Sequence, residues 1–181
     1  MDLILNEDQI LLRDSAATFT ERQAGADLAR KVRATDKPVD ADVWREMAEA
    51  GWLAILVPEE HGGLGLGMTE LALVLEEAGK SILPGPIAAA AVAVKILAES
   101  PHAQDHEDLI AGLIAGETII VPALQEKPFD LNGENATCRA EADGEGWQFT
   151  GEKIFIPEAG AADGFLVNAE CPEGPIVCYV A

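Results

Sequence analysis

The pattern of apolar residues changes once along the chain, near residues 116–118, and no other feature constrains the fold as strongly. Before this point, apolar residues recur every three or four positions, as they do on one face of an α-helix. After it, short β-branched or aromatic runs alternate with turns rich in Gly, Pro and Asp. Helices followed by strands are typical of an α+β chain with separate layers. We therefore expect a helical domain over residues 1–117 and a β domain over residues 118–181.

Several helix boundaries carry capping signals. Asn6, with Gln9 three residues later, has the pattern of a capping box at the start of the first helix. Asp40 is a suitable N-cap for another helix that stops near Gly51, and Pro86 suits the first turn of an alanine-rich helix. Further helices are predicted over residues 24–34, 69–78 and 102–116.

Five runs after the change are predicted to be strands. In the third run, Trp147, Phe149 and Phe155 fall on one face of an extended strand that stops at Pro157. The segment "ADGEG" before it is a hairpin signal. The predicted strands are Ile119–Leu124, Ala136–Ala142, Trp147–Ile156, Phe165–Ala169 and Ile176–Val180.

The charge balance and the cysteine count exclude several classes of protein. The net charge is −20, from 32 acidic and 12 basic residues, and no Lys/Arg cluster occurs, which argues against a nucleic-acid partner and against binding to an anionic membrane. Three cysteines without a CxxC pattern predict neither a disulfide framework nor a zinc site and fit a reducing, cytoplasmic compartment. The acidic N-terminus does not resemble a signal peptide. The apolar run Ile87–Val94 is far shorter than the roughly 18 residues of a membrane span.

The motifs that carry chemistry elsewhere are weak in this chain. The stretch "HGGLGLG" lacks the glycine spacing of a dinucleotide loop and the lysine of a P-loop, so we predict a structural turn that contains His61. His102 and His106 lie one helical turn apart, but the glutamate of the zinc-protease motif does not follow the first histidine. These two histidines are expected on a solvated face. Residue types and spacing alone therefore nominate no catalytic group.

Three stretches of the chain resemble the acyl-CoA dehydrogenases, the flavoenzymes that desaturate acyl-CoA thioesters. They read "NEDQILLRDSAATF", "WREMAEAGWLAILVPEEHGGLGLGMTELALVLEEAGKS" and "GWQFTGEKIFIPEAGAADGFLVNA". The resemblance implies a helical N-terminal domain, a middle β-barrel and a C-terminal four-helix domain, with FAD between the last two. A glutamate of the C-terminal domain abstracts a proton in such enzymes while hydride passes to the flavin. The implied fold class is α+β, an all-α helical bundle followed by an incomplete antiparallel β-barrel or sandwich.

The resemblance also implies which residues bind FAD. Phe155 falls where the family usually has a tryptophan that covers the flavin, and Pro157 falls where it usually has a threonine or serine that hydrogen-bonds the flavin. Leu124 and Gln125 begin the flavin loop, which reads "QEKPFDLN" from Gln125 and lacks the family's "GSD". Proline has neither an N–H nor a hydroxyl, so one expected hydrogen bond to FAD is missing. The aromatic ring of Phe155 is still able to stack.

The alanine-rich helix resembles the part of the family that lines the acyl pocket. Ala88, Ala91 and Val92 are the substrate-binding residues that this resemblance implies, because small side chains leave room for a bulky acyl group. The alternative is that these alanines only permit close packing between helices.

The resemblance implies an activity that this chain does not complete by itself. The chain ends at Ala181, inside the implied barrel, so the C-terminal domain with the catalytic glutamate is absent. We expect the N-terminal part of an FAD-dependent acyl-CoA dehydrogenase, with an acyl-CoA substrate, a homo- or hetero-oligomeric state and an electron-transfer partner in the full-length enzyme. The alternatives are a degenerate, non-catalytic subunit of a hetero-oligomeric relative and a helical binding module without flavin.

Overall fold

A computed structural model describes residues 4–128, 136–144 and 146–181. Within these residues the helices precede the sheet, which confirms the predicted α+β class. The helices are α1 (Glu7–Gln23), α2 (Ala26–Arg33), α3 (Ala41–Glu49), α4 (Met68–Lys80), α5 (Ile87–Ala98) and α6 (Glu107–Ile114). The strands are β1 (Ile120–Ala123), β2 (Arg139–Asp143), β3 (Gly146–Thr150), β4 (Gly164–Cys171) and β5 (Gly174–Val180). No helix in these three ranges is long and apolar enough to cross a membrane.

The predicted caps of α1 and α3 are confirmed. The side chain of Asn6 accepts a hydrogen bond from the backbone N–H of Gln9 at 2.8 Å, and the Gln9 side chain accepts one from the N–H of Asn6 at 3.1 Å. Asp40 caps α3 by accepting from two backbone N–H groups of its first turn. That helix ends at Glu49, just before Gly51, whose φ of 80° is the left-handed conformation that glycine tolerates best.

The helix predicted over residues 102–116 is shorter and begins with a tighter turn. Residues Ala103–His106 form a 3-10 helix, and the regular helix α6 starts only at Glu107. The hydroxyl oxygen of Ser100 accepts a hydrogen bond from the N–H of His102 at 3.1 Å. Such local side-chain bonds compete with a regular helical start, which accounts for the later beginning of α6.

The sheet is mixed rather than wholly antiparallel. β4 pairs antiparallel with β5 along one edge, whereas β1 pairs with β4 in parallel, from Ile120 opposite Gly164 to Ala123 opposite Val167. The β2–β3 hairpin joins β4 through a single parallel register pair, Arg139 opposite Glu170. The predicted antiparallel pairing therefore occurs in β2–β3 and β4–β5, while β1 and β2 pair in parallel with β4. A parallel pair needs a long connection, and residues 124–163 supply one.

The third predicted strand ends earlier than Ile156. β3 stops at Thr150, and the chain then leaves the ladder at Gly151, whose φ is 150°. A Cβ atom on Gly151 would lie 2.3 Å from the Sγ atom of Cys138, so only glycine fits this approach. The predicted alternation of faces from Trp147 to Phe155 therefore fails beyond Thr150.

Helices and sheet contribute jointly to two clusters of buried apolar residues. α1 packs along α4, and α5 packs across β1, whose Ile120 and Val121 are fully buried. Trp44 of α3 and Ile119, just before β1, belong to the same cluster of buried apolar residues. A hydrogen bond joins the starts of β1 and β4, because a carboxylate oxygen of Asp163 accepts it from the backbone N–H of Ile119 at 2.9 Å.

Candidate functional site

The residues implied to bind FAD lie on two chain segments that the structure joins. Leu124 and Gln125 directly follow β1, and Phe155 lies in the irregular segment after β3. The backbone carbonyl of Gln125 accepts a hydrogen bond from the N–H of Ile154 at 2.7 Å. The structure therefore brings the start of the implied flavin loop next to the residue that precedes Phe155. Residues 129–132 of that loop lie outside the described residues.

A buried ion pair between Glu126 and Lys153 holds the two segments together. The Lys153 ammonium lies 2.6 Å from the Glu126 carboxylate, and the side chains are only 7% and 6% exposed. The same carboxylate accepts the backbone N–H groups of Thr137 and Cys138, at 2.6 and 2.9 Å. Lys153 also donates to the side-chain oxygen of Asn168, in β4, at 2.7 Å. Four separate stretches of the β region therefore meet at one charged cluster.

The hydrogen bonds of this cluster keep Glu126 ionised. Burial alone would raise the pKa of the Glu126 carboxyl, but the hydrogen bonds from Lys153, Thr137 and Cys138 outweigh it and hold the pKa well below its usual range. Burial raises the pKa of the neighbouring Cys138 thiol, and the hydrogen bond with Glu126 adds to the rise. The cluster thus contains a fixed negative charge, a fixed positive charge and a neutral thiol.

Phe155 presents its ring to solvent. The side chain is 71% exposed, and its φ of 51° is rare for a residue with a Cβ atom. Its neighbours Ile154 and Ile156 are partly buried, and Ile156 packs against the helical core. The left-handed turn at Phe155 therefore separates two anchored residues and directs the ring outward.

Pro157 is also exposed, and the following Glu158 adopts a second left-handed turn with φ of 54°. The outward ring of Phe155, on an anchored backbone, suits the binding of a planar group such as the flavin ring of FAD, because the two rings could stack. Pro157 contributes no hydrogen-bond donor to such a ligand.

The three residues implied to line an acyl pocket are neighbours on α5 but differ in exposure. Ala88 and Val92 are exposed and stand one helical turn apart, and Val92 is 39% exposed. Ala91 is fully buried in the core between the helices and β1. Packing, which was the alternative explanation, accounts for Ala91, while Ala88 and Val92 present an open apolar stripe.

The glycine-rich stretch is a structural turn, as its spacing predicts. The N–H groups of Leu64, Gly65 and Leu66 donate to the carbonyls of Ala54, Val57 and Ile55, at 2.8 to 3.0 Å. These groups are therefore occupied within the protein and do not form a phosphate cradle.

The histidines do not form a metal centre. His102 lies 3.5 Å from Asp105 on an exposed surface. In the described ranges no group of three or more His, Cys, Asp or Glu side chains is arranged to hold a metal ion.

Glu126 and Lys153 are the residues of the site that pattern reasoning did not nominate. Lys153 occurs in a stretch that carries the family resemblance, "GEKIFIP", whereas Glu126 occurs in the implied flavin loop, "QEKPFDLN", which departs from the family's sequence. A lone acidic residue in a loop and a lone lysine after a strand give no local signal of an ion pair. The two residues lie 27 positions apart in the sequence, so their contact is visible only in the folded structure.

Comparison with known proteins places this architecture in one family. A family model described as "Acyl-CoA dehydrogenase, N-terminal domain" matches residues 6–117. Acyl-CoA dehydrogenase IpdE2 of Mycolicibacterium smegmatis is 31% identical over 142 residues, which are 78% of this chain and 44% of that protein. Acyl-CoA dehydrogenase FadE12 of Mycobacterium tuberculosis is 30% identical over 175 residues, covering 94% of this chain and 44% of that protein.

Solved structures agree on the fold over nearly the whole chain. A variant of the Tcur3481-Tcur3483 steroid ACAD superposes with a TM-score of 0.83 at 33% identity, covering 96% of this chain and 48% of that chain. The ChsE4-ChsE5 complex from Mycobacterium tuberculosis gives a TM-score of 0.83 at 27% identity, covering 100% and 49%. The chain therefore spans about half the length of the relatives it matches.

Proposed function

The chain belongs to the acyl-CoA dehydrogenase family, and we propose that it is the N-terminal part of an FAD-dependent enzyme that desaturates an acyl-CoA thioester. Within this proposal, residues 1–117 form the helical domain and residues 118–181 form the first part of the middle β domain. The observation that carries the proposal is the outward ring of Phe155, anchored beside the start of the implied flavin loop by the Glu126–Lys153 ion pair.

Bound FAD supplies the hydride acceptor in such a reaction. Phe155 stacks on the cofactor, and Leu124 and Gln125 border it from the loop after β1. The Glu126–Lys153 pair, whose side chains are only 6% and 7% exposed, acts by fixing these two segments. Preorganised segments of this kind reduce the ordering cost of cofactor binding.

The substrate role of this chain is to bind the acyl group. Ala88 and Val92 lie on the open side of α5, where their small side chains leave space for a bulky acyl chain. Ala91 supports this surface from below by its packing in the core. In the family, the base that abstracts the proton belongs to the C-terminal helical domain, and residues 1–181 are proposed to contribute the acyl surface and the segments that face FAD.

The proposed setting is a cytoplasmic, oligomeric enzyme with an acyl-CoA substrate and a partner that accepts electrons. The printed names of two structural relatives support a hetero-oligomer, since one is a ChsE4-ChsE5 complex and another a Tcur3481-Tcur3483 steroid ACAD. No nucleic-acid partner and no membrane partner are part of this proposal, in keeping with the net charge of −20.

Flavin titration of the full-length gene product tests the proposal. We expect FAD to bind and its flavin fluorescence to be quenched by stacking. We expect Phe155→Ala to weaken the affinity by about tenfold or more, in line with about 1–3 kcal/mol for stacking on an aromatic side chain. Trp147→Ala is the matched control, because Trp147 is an exposed aromatic residue (46%) that lies in β3 and not at the proposed site. Equal weakening by both variants would contradict the role of Phe155.

A degenerate, non-catalytic subunit is the second proposed function, and Pro157 is the observation that favours it. Pro157→Thr restores a hydroxyl at this position, and we expect tighter FAD binding if the missing hydrogen bond limits affinity. If the gene product alone binds no FAD, and neither Pro157→Thr nor a hetero-oligomeric partner changes this, the flavin role fails and the helical binding module is favoured.

A further inference from the structure

A cavity of about 750 Å³ lies where the helical region meets the sheet. It is bordered by α3, by the turn that contains His61, by the end of α6 and by the chain around Ile119 and Asp163. None of the seven residues proposed to bind FAD or the acyl group lines it. The volume falls within the range of small-molecule sites in proteins, about 300–1,000 Å³.

Two buried polar atoms at this cavity have no hydrogen-bond partner. Within the described part of the chain, they are the indole Nε1 atom of Trp44 and the Nδ1 atom of His61. Trp44 is only 2% exposed, and both residues line the cavity. An unpaired buried donor costs free energy, so a native protein normally supplies it with a partner.

Gly116 lies beside the edge of the Trp44 indole. A Cβ atom at Gly116 would lie 3.4 Å from Nε1 of Trp44 and 2.9 Å from the Cβ atom of Ala48. Because Gly116 also has a φ of 72°, a larger residue here would crowd this edge and strain the backbone. The rest of the lining is largely apolar, from side chains that include Val39, Ala111, Ile114 and Ile119.

The charges around the cavity disfavour an anion. Lys37 is paired with Asp163 at 2.7 Å, and Arg45 is paired with Asp42 at 3.2 Å, so both cations at the cavity are already neutralised. Glu49 and Glu117 add two further carboxylates to the lining. An anionic ligand would therefore meet net negative charge, whereas a neutral ligand would not.

We propose that this cavity binds a small, neutral molecule that carries a carbonyl group, with the carbonyl oxygen accepting the hydrogen bond from Nε1 of Trp44. The indole nitrogen is only a donor, so its partner must be an acceptor. The Nδ1 atom of His61 faces a donor or an acceptor on the ligand, depending on which ring nitrogen carries the hydrogen. The apolar lining contacts the carbon skeleton.

The test uses ε-caprolactam as the probe, because it combines a seven-membered apolar ring with a carbonyl group. Cycloheptane has a neutral seven-membered ring without the carbonyl and is the matched ligand control. Both are titrated into the ¹⁵N-labelled full chain, and the indole N–H signal of Trp44, assigned with Trp44→Phe, is followed. We expect a saturable shift of the Trp44 signal with caprolactam at millimolar concentration and no saturable shift with cycloheptane.

Ala111→Leu fills part of the cavity from α6 and is expected to weaken caprolactam binding at least tenfold. Ala72→Leu is the same substitution at an exposed position of α4 that does not line the cavity, and it should leave binding unchanged. If Ala111→Leu does not fold, competition by hexanoate provides the second measurement, because the acid-lined cavity should bind hexanoate more weakly than caprolactam. Glu49→Gln removes one of the lining carboxylates and should reduce this difference. Equal shifts with cycloheptane, no saturation, or equal binding by both leucine variants would overturn the proposal.

Discussion

The Glu126–Lys153 ion pair makes a sharp prediction about stability. Lys153→Met keeps most of the volume of the side chain but removes the ammonium that lies 2.6 Å from the Glu126 carboxylate. The carboxylate then remains in a site where it is only 6% exposed. Breaking a buried pair by removing one partner costs about 3–5 kcal/mol, since it leaves an uncompensated buried charge. Glu126 retains hydrogen bonds from Thr137 and Cys138, so we expect a loss near the lower end, about 3 kcal/mol.

Lys95→Met is the matched control for this measurement. Lys95 pairs with Glu99 on the surface of α5, where the side chains are 36% and 56% exposed. Exposed pairs contribute about 0–1 kcal/mol, so the same substitution should have little effect there. Urea unfolding followed by circular dichroism gives both free energies of unfolding. A loss for Lys153→Met no larger than that for Lys95→Met would refute the structural role of the buried pair.

The pH dependence of stability gives the same prediction a second readout. The pKa of Glu126 is lowered in the folded state, so its contribution is present above the unfolded value of 4.5 and is lost as pH falls below it. Lys153→Met removes the largest cause of the lowering, so the pKa of Glu126 moves back toward its usual value. We therefore expect wild-type stability to fall more steeply with acidification than that of the variant. Parallel curves from pH 6 to pH 3 would contradict this account.

Two further predictions concern the backbone. Gly151→Ala should destabilise the protein by about 2–4 kcal/mol, because the new Cβ would lie 2.3 Å from Sγ of Cys138. Gly144 has a φ of 64° and nothing within 4 Å of a new Cβ, so Gly144→Ala should cost only the conformational strain of about 1–2 kcal/mol. Thermal melts compare the two variants. Asn6→Ala removes the cap of α1 and should lower the free energy of unfolding by about 1 kcal/mol. Asn6→Asp keeps the acceptor and should have nearly the wild-type free energy in urea unfolding. Equal losses for the two variants would show that the hydrogen bond from Gln9 to the cap contributes nothing.

Local chemistry predicted the helical half well. Asn6 and Asp40 have short polar side chains that bond to the backbone N–H groups just after them, so their caps depend on neighbours within three residues. The α5 helix likewise follows from its composition and from Pro86 just before it. Such signals are readable because both partners lie in one short stretch of sequence.

The β half shows where sequence reasoning stops. The run from Trp147 to Ile156 has the composition of one strand, but the contact of Gly151 with Cys138 and the bond from Ile154 to Gln125 end the strand at Thr150. The parallel pairing of β1 with β4 also joins residues 44 positions apart, Ile120 with Gly164, and no local pattern encodes it. Tertiary contacts overrode β propensity at these positions.

The candidate site divides in the same way. The family resemblance implied that Phe155 and Gln125 bind FAD, and the structure brings their segments together through the Gln125–Ile154 hydrogen bond. The same resemblance grouped Ala91 with Ala88 and Val92, although Ala91 faces the core. Residue identity in a motif does not specify which side of a helix faces a ligand, since that depends on how α5 packs on β1.

The parallel pairing of β1 with β4 has a consequence for synthesis on the ribosome. Ile120 and Val121 leave the exit tunnel well before their partners Gly164 and Phe165, and the chain grows at about 5–20 residues per second. During these seconds one edge of β1 has no strand beside it, although α5 is already complete and ready to cover its face. An unpaired apolar edge attracts other chains. The nascent protein is therefore most exposed to aggregation between the emergence of β1 and that of β4, and chaperones would act in this interval.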